Sequence, residues 1–245
     1  MRAHAVAVAE PGPYGTRLST LRSAAPLLLR PTPDALYLVS GAAGPLGGDE
    51  LALDLTVRAG ARLTVRTTAA SLVLPGPTGD RSVLRVNAVV EAGARLDYLP
   101  EPTIVAARAR HVTDVRITLT GNAALTWRDD LILGRHGETG GTCVSRLYAD
   151  LDGRPLLRHA LDLDPSDDAT TGPAVLQGHR RIGTVLAVGT GAVRDDPPVP
   201  TAATMRLAGS PDAVLRTVLG QDPQSRRATP VTSSSLAVWP AASSG

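Results

Sequence analysis

Alternation of apolar and polar residues with a period of two most limits what this chain can fold into. In Leu51–Arg58 the odd positions are apolar and the later even positions are polar, and residues 84–91 and 115–120 repeat the pattern. Successive side chains of a β-strand point to opposite faces, so each segment is typical of a half-buried strand. The sequence therefore predicts an all-β protein.

The connections between these strands also repeat. Ala59–Leu63 and Ala92–Leu96 share the sequence Ala-Gly-Ala-Arg-Leu, and Thr120–Leu125 is a looser copy. Glycine readily adopts the positive φ of a tight turn, so we expect hairpins at these positions. Units about thirty residues apart suggest a stack of hairpins in which neighbours bury each other's apolar faces. Periodicity alone favours an ordinary β-sandwich, which is the commoner architecture.

One helix is indicated near the C-terminus. Ser210 is placed to cap it, Pro211 and Asp212 suit its first turn, and Gly220 can end it, so a short helix is expected over 211–219. Residues 221–245 are polar and rich in Ser and Pro, which predicts a mobile tail. The expected organisation is a single β-rich domain over residues 1–220, followed by that tail.

Composition restricts the compartment and the partners. The formal charge is +2 with acidic and basic residues interspersed, which argues against nucleic-acid and membrane partners. Cys143 is the one cysteine and cannot form an internal disulfide, which fits a reducing compartment. The first nine residues lack a persuasive signal-peptide core, and charges interrupt the later apolar runs. We therefore expect a cytoplasmic protein.

The residues of the common catalytic motifs are missing from the sequence. There is no Lys for a phosphate loop, no Gly-x-Ser-x-Gly elbow and no His-Glu-x-x-His zinc helix. Gly189-Thr-Gly191 lacks the third glycine of a dinucleotide fingerprint. We therefore expect that the protein is not an enzyme and has no permanently bound cofactor.

Several polar residues stand out as candidate ligands for a transient divalent metal ion. They are Asp49, Glu50, Asp129, Glu138 and His159. Carboxylate and imidazole groups suit a transition-metal ion, and a carrier needs few of them. Structural roles compete with this interpretation, because Asp49 could cap a turn and Glu138 could pair with Arg135.

Taken in order, a series of segments resembles the urease accessory protein D family, also called UreD or UreH. The matching segments are Ala25–Leu27, Ser40–Gly41, Gly47–Glu50, Thr67–Ser71, Leu96–Ile104, Leu125–Leu133, Gly134–Arg135, Gly137–Glu138 and Gly178–Thr184. The resemblance covers about three quarters of the chain. The sequence departs from the family pattern at Leu72, where a Lys is usual, and at His159, which stands at an acidic position.

The resemblance implies a β-helical body with two helices, which agrees with the stacked interpretation. It implies binding to apo-urease and to the accessory protein UreF, which recruits the GTPase UreG. It also implies that nickel(II) passes through an internal channel, with Asp49, Glu50 and Asp129 at channel-lining positions.

Two other functions remain open from the sequence. A β-rich hydrolase acting on carbohydrate could use a pair of carboxylates such as Asp49 and Asp129, about 5–10 Å apart in an open cleft. A metal-independent interaction module would need none of the candidate ligands.

Overall fold

The protein is built almost entirely of β-strands. A computed structural model describes residues 1–190, 201–210 and 212–220. Within these ranges the strands are β1 (Arg2–Gly12), β2 (Gly15–Arg22), β3 (Leu27–Pro31), β4 (Leu36–Ser40), β5 (Glu50–Val57), β6 (Arg62–Thr67), β7 (Ser71–Val73), β8 (Ser82–Val90), β9 (Arg95–Leu99), β10 (Thr103–Val105), β11 (Arg110–Leu119), β12 (Ala124–Leu133), β13 (Thr142–Leu151), β14 (Arg154–Leu163), β15 (Arg181–Val188), β16 (Ala202–Arg206) and β17 (Ala213–Gly220). The prediction of an all-β fold is confirmed.

Two sheets enclose the interior. The first has the strand order β14-β13-β11-β8-β5-β1-β2, and the second runs β16-β17-β15-β12-β9-β6-β4-β3 with β7 and β10 attached. Strands one repeat apart pair in parallel, so that Leu53 lies beside Val86, Val86 beside Val115, and Val115 beside Leu147. The chain passes from the first sheet to the second and then to the next rung. This stacking confirms the β-helical, solenoid-like prediction.

The repeated glycine turns are corners between the two sheets rather than hairpin tips, which corrects one detail of the prediction. Gly60, Gly93 and Gly121 have φ values of 76°, 71° and 57° at equivalent places. Each turn leads from a strand of the first sheet into a strand of the second, as from β5 to β6. Equal spacing in sequence cannot distinguish these two geometries, because both require a glycine between two alternating runs.

The predicted helix over 211–219 is wrong, because Ala213–Gly220 forms β17. This strand pairs antiparallel with β15 on one side and with β16 on the other. Two neighbouring strands satisfy its backbone hydrogen bonds, and such tertiary pairing overrides local capping signals. Within the described ranges, the short helix α1 (Asp168–Thr171) lies earlier in the chain and is capped by Asp167. Residue 211 and the tail over 221–245 lie outside the described residues.

Small aliphatic side chains fill the interior. A larger cluster of buried Leu, Val and Ala residues packs between the sheets and includes Trp127, which stacks on Tyr98 with 4.0 Å between ring centroids. A smaller cluster around Val105, Leu133 and Leu163 lies at the other end of the same strands. In the described part of the chain, no helix has the length and apolar character needed to cross a bilayer.

Candidate functional site

Asp129 points into the protein between the two apolar clusters. It shares the inward face of β12 with Trp127, which belongs to the larger cluster, and with Leu131, which belongs to the smaller one. Across the interior, Ser145 Oγ on β13 donates a 2.7 Å hydrogen bond to Asp129 Oδ2. Asp129 therefore places a carboxylate in the interior and connects the two sheets through Ser145.

A threonine lies beside each partner of this hydrogen bond. Thr184 of β15 lies directly opposite Asp129, and Thr113 of β11 lies directly opposite Ser145. Thr113, Ser145 and Thr184 are buried, whereas Asp129 as a residue is half-buried. We call Asp129, Ser145, Thr113 and Thr184 the interior polar layer. It separates the larger apolar cluster from the smaller one.

The interior environment shifts the titration of Asp129. Burial of the carboxyl raises the pKa of Asp129, the Ser145 hydrogen bond opposes this change, and the neighbouring Asp130 raises the pKa further. Burial disfavours the charged form of a carboxyl, so a cation that neutralises Asp129 would be favoured there. The interior polar layer thus contains one carboxylate and three hydroxyl groups, which are oxygen ligands of a kind that divalent cations bind.

Asp130 projects from the opposite face of β12 and has a different role. It forms a two-pronged ion pair with Arg181, in which Arg181 Nε donates to Asp130 Oδ1 at 2.9 Å and Nη2 donates to Oδ2. Both residues are buried. Asp130 is therefore held by a structural partner, and Asp129 is the carboxylate that faces the interior.

A second group of buried polar residues, Asp49, Ser82 and His111, lies at or just before the starts of β5, β8 and β11 in the first sheet. Asp49 accepts a 2.7 Å hydrogen bond from the Met1 amino group and a 2.9 Å bond from Leu46 N–H, so it also caps a turn. Next in the group, Ser82 Oγ lies 2.8 Å from His111 Nδ1. Burial lowers the pKa of His111 to about 4, so its imidazole is neutral at pH 7.

Two of the sequence motifs meet at one end of the molecule. Arg180, in the Gly178–Thr184 motif, donates to the carbonyl oxygens of Leu133, Arg135 and Glu138 at 2.7–3.0 Å. Gly134 is crowded there, because a Cβ would lie 2.6 Å from Arg180 Nη2. Close packing and a fixed guanidinium therefore hold the loop over 134–138 in one shape.

A cleft of about 370 Å³ opens beside this loop. Its lining comprises Leu133, Gly137, Glu138, Thr139, Gly140, Pro165, Thr171, Leu176, Gly178, His179 and Arg180. We call it the Arg180 cleft. It joins the Gly134–Glu138 loop to the short helix α1 and to the start of β15.

The five predicted ligands do not form one cluster. Glu50 is exposed, and its Oε1 accepts a hydrogen bond from Arg2 at 3.3 Å. Glu138 is bound to Arg135 Nε at 2.8–2.9 Å. His159 of β14 lies opposite Leu147 and is half-buried, and burial lowers its pKa. Among the described residues, no group of three or more His, Cys, Asp or Glu side chains could hold a metal ion.

Several residues of the site were missed in the sequence analysis. Thr113 and Ser145 occupy inward positions in strands whose other inward residues are mostly apolar, so the alternation pattern could have revealed them. Ser82 and His111 break the pattern at the starts of their strands in the same way. Arg180 carries no such signal, because only the folded chain brings it to Leu133.

Comparison with known proteins identifies the family. A family model described as "UreD urease accessory protein" matches residues 2–231. A urease accessory protein UreD of a Parafrankia species is 40% identical over 243 residues, which covers 85% of this chain and 80% of that protein. UreD 3 of Streptomyces griseus is 40% identical over 242 residues and covers 91% of both chains. UreD of Frankia alni is 39% identical over 228 residues, covering 77% of this chain and 76% of that protein. The chain belongs to the UreD urease accessory protein family.

Proposed function

We propose that this protein is a non-catalytic scaffold that binds apo-urease and the accessory protein UreF, reaches the GTPase UreG through UreF, and assists nickel insertion in the cytoplasm. Membership of the UreD family supports a role in urease maturation. The relatives are named accessory proteins, which favours a role without catalysis.

The interior polar layer is the feature that best supports a nickel path. A conduit must attract an ion and still release it, which a few modest ligands do better than a closed cage. Asp129 supplies one carboxylate, and Ser145, Thr113 and Thr184 supply neutral oxygens close by. In this proposal nickel(II) is cargo and not a resident cofactor.

The other candidate ligands have more restricted parts in this proposal. Asp49 already accepts hydrogen bonds from the Met1 amino group and from Leu46, so nickel would have to displace them. Glu50 and Glu138 pair with arginines at the surface and would act only at an entrance. His159, half-buried on the inward side of β14, could receive the ion as a neutral imidazole.

The proposal is tested by replacing the interior carboxylate while leaving the surface unchanged. Asp129→Asn would be co-expressed with the urease subunits and the partner accessory proteins, with Asp114→Asn, on the outer face of the same solenoid, as the matched control. We expect Asp129→Asn to co-purify with UreF and apo-urease but to leave the urease poor in nickel, while Asp114→Asn activates urease normally.

The other outcomes decide between the alternatives. Unchanged nickel content with Asp129→Asn would contradict the conduit and favour a metal-independent interaction module. Failure of the unmodified chain to bind UreF or apo-urease would reject the scaffold itself. Hydrolysis of a carbohydrate that depends on both Asp49 and Asp129 would replace the proposal with the enzyme alternative.

A further inference from the structure

Arginines stand on alternate strands of the second sheet and form one row across it. Arg30 of β3 lies beside Tyr37 of β4, and Tyr37 lies beside Arg66 of β6. Arg66 pairs with Leu99 of β9, and Leu99 lies next to Arg128 of β12, whose Nη2 donates to Leu99 O at 3.4 Å. Neighbours in register point to the same face of a sheet. We call Arg30, Tyr37, Arg66, Leu99 and Arg128 the arginine row.

The arginine row lies on the outer face of the second sheet. The residues just before three of its members, Leu36, Val65 and Trp127, belong to the larger apolar cluster of the interior. Successive residues of a strand point to opposite faces, so the row faces away from the interior. Arg30 is exposed, and the other four residues of the row are half-buried.

The three guanidinium groups of the row have no ion pair within residues 1–190, 201–210 and 212–220. Arg128 donates through Nη2 to the backbone oxygens of Leu99 and Pro100, and its Nε is buried without an acceptor in the described part of the chain. Burial lowers the pKa of Arg128, and the charges of Asp130 and Glu101 oppose this change. An arginine stays protonated, so Arg128 is a cation that its surroundings satisfy only in part.

The carboxylates near the row do not neutralise it. Asp97 and Asp130 are each bound to another arginine of the sheet. Asp34 accepts a 2.6 Å hydrogen bond from a nearby threonine hydroxyl, and Glu101 is exposed near Arg128. Three guanidinium groups therefore outnumber the two carboxylates at their borders. An excess of positive charge on a surface attracts a negatively charged partner.

The spacing of the row selects the conformation of that partner. Neighbouring strands are about 4.8 Å apart, so arginines on alternate strands repeat at about 9.6 Å. An α-helix rises about 10.5 Å in seven residues, which make two turns, so acidic residues at i, i+7 and i+14 share one face with nearly the same repeat. Residues near i+4 and i+11 then lie over Tyr37 and Leu99. An extended segment matches less well, because its side chains return to one face about every 6.6 Å.

We propose that the arginine row is the docking surface for an acidic amphipathic helix of a partner protein. The helix lies across the strands of the second sheet, and its carboxylates at i, i+7 and i+14 pair with Arg30, Arg66 and Arg128. Apolar side chains between these carboxylates pack on Tyr37 and Leu99. The inference rests on the register and charge of the row and does not depend on the proposed role in nickel insertion.

Fluorescence anisotropy of a labelled synthetic helix tests the proposal on the full chain. The probe is a stapled fifteen-residue peptide with glutamates at its positions 1, 8 and 15, leucines at 4 and 11, and alanine or glutamine elsewhere. A control probe of the same composition carries the glutamates at 1, 6 and 10, which lie on different faces of the helix. We expect the first probe to bind about tenfold more tightly than the control. Equal binding of the two probes, or no binding of the first, would overturn the proposal.

Matched substitutions locate the contact. Arg66→Gln should weaken binding of the first probe about tenfold, which is the usual effect of losing a hydrogen bond to a charged group. Arg146→Gln, the same change at a half-buried arginine on the outer face of the first sheet, should leave binding unchanged. Glu101→Gln should tighten binding, because it removes a carboxylate that repels the probe. Arg30→Gln, at an exposed position, repeats the test should Arg66→Gln fail to fold. Equal weakening by Arg66→Gln and Arg146→Gln, or weaker binding to Glu101→Gln, would overturn the proposal.

Discussion

Asp129 and Asp130 are adjacent carboxylates for which the structure predicts opposite responses to the same change. Asp130→Asn removes the carboxylate that accepts two hydrogen bonds from the buried Arg181 guanidinium, and an arginine side chain does not lose its proton. Removing one member of a buried ion pair costs about 3–5 kcal/mol. Thermal midpoints of chains of this size fall by roughly 2–4 °C per kcal/mol, so we expect a decrease of roughly 6–20 °C.

Asp129→Asn should behave differently. The amide oxygen can still accept the Ser145 hydrogen bond, and the substitution removes a charge that is costly to bury. We expect the free energy of unfolding at pH 7 to stay within about 1 kcal/mol of the parent, which is the usual net value of one hydrogen bond. Because the pKa of Asp129 is raised in the folded state, the parent loses stability as pH rises from 3.8 through that raised pKa. Stability of Asp129→Asn relative to the parent should therefore increase from pH 4 to pH 7.

Urea denaturation of the two variants and the parent at pH 4, 5.5 and 7 measures both effects. The slope of unfolding free energy against urea must stay constant for the comparison to hold. Equal destabilisation by the two substitutions at pH 7 would refute the conclusion that Asp130, and not Asp129, belongs to a stabilising ion pair. A relative stability of Asp129→Asn that falls with pH would refute the raised pKa.

Three further predictions follow from buried groups and close contacts. Burial lowers the pKa of His111 from 6.5 to about 4, so its imidazole is neutral in the folded protein. The free energy of unfolding of the parent should therefore fall by about 3 kcal/mol between pH 6.5 and pH 4. It should fall less for His111→Asn in the same denaturation assay. Cys143 is buried and burial raises the pKa of its thiol, so a thiol reagent should label the native chain only at the rate of unfolding; rapid labelling at pH 8 would contradict its burial. Gly76→Ala should destabilise the protein by more than about 2 kcal/mol, because the new Cβ would overlap Gly47 O. Gly79→Ala, in open space at φ +72°, should cost about 1 kcal/mol. Equal urea midpoints for the two variants would exclude the close approach of Gly76 to Gly47.

The strands were predictable because their signal is local. The alternation in Leu51–Val57 marks the inward face of β5 without knowledge of any partner strand. The pairing was not predictable in the same way, since a glycine corner and a glycine hairpin require the same local residues. β17 was mispredicted because Ser210 and Asp212 resemble a helix start, while the hydrogen bonds that decide its conformation come from β15 and β16.

The candidate site was predictable only in part. Asp129 is two residues from both Trp127 and Leu131 in β12, so the three side chains point to the same face. The inward direction of this carboxylate was therefore predictable from the sequence. Its contact with Ser145 is not, because Ser145 reaches Asp129 only when β13 pairs with β11 in the opposite sheet. Arg180 was included in a motif, yet its role in fixing the loop at Leu133 depends on hydrogen bonds across 47 positions of chain.

The hairpins at the two ends of the first sheet have a consequence for how the molecule behaves in a crowded solution. β1, β5, β8, β11 and β13 run parallel, but the outermost strands β2 and β14 run antiparallel to their neighbours. These borders also carry Arg17 and Arg22 on one side and Arg154 and Pro155 on the other. Proline and charge at an exposed border disfavour pairing with another chain. Copies of this protein should therefore resist joining end to end into filaments through this sheet, although its repeating rungs are the kind of unit from which fibrils grow.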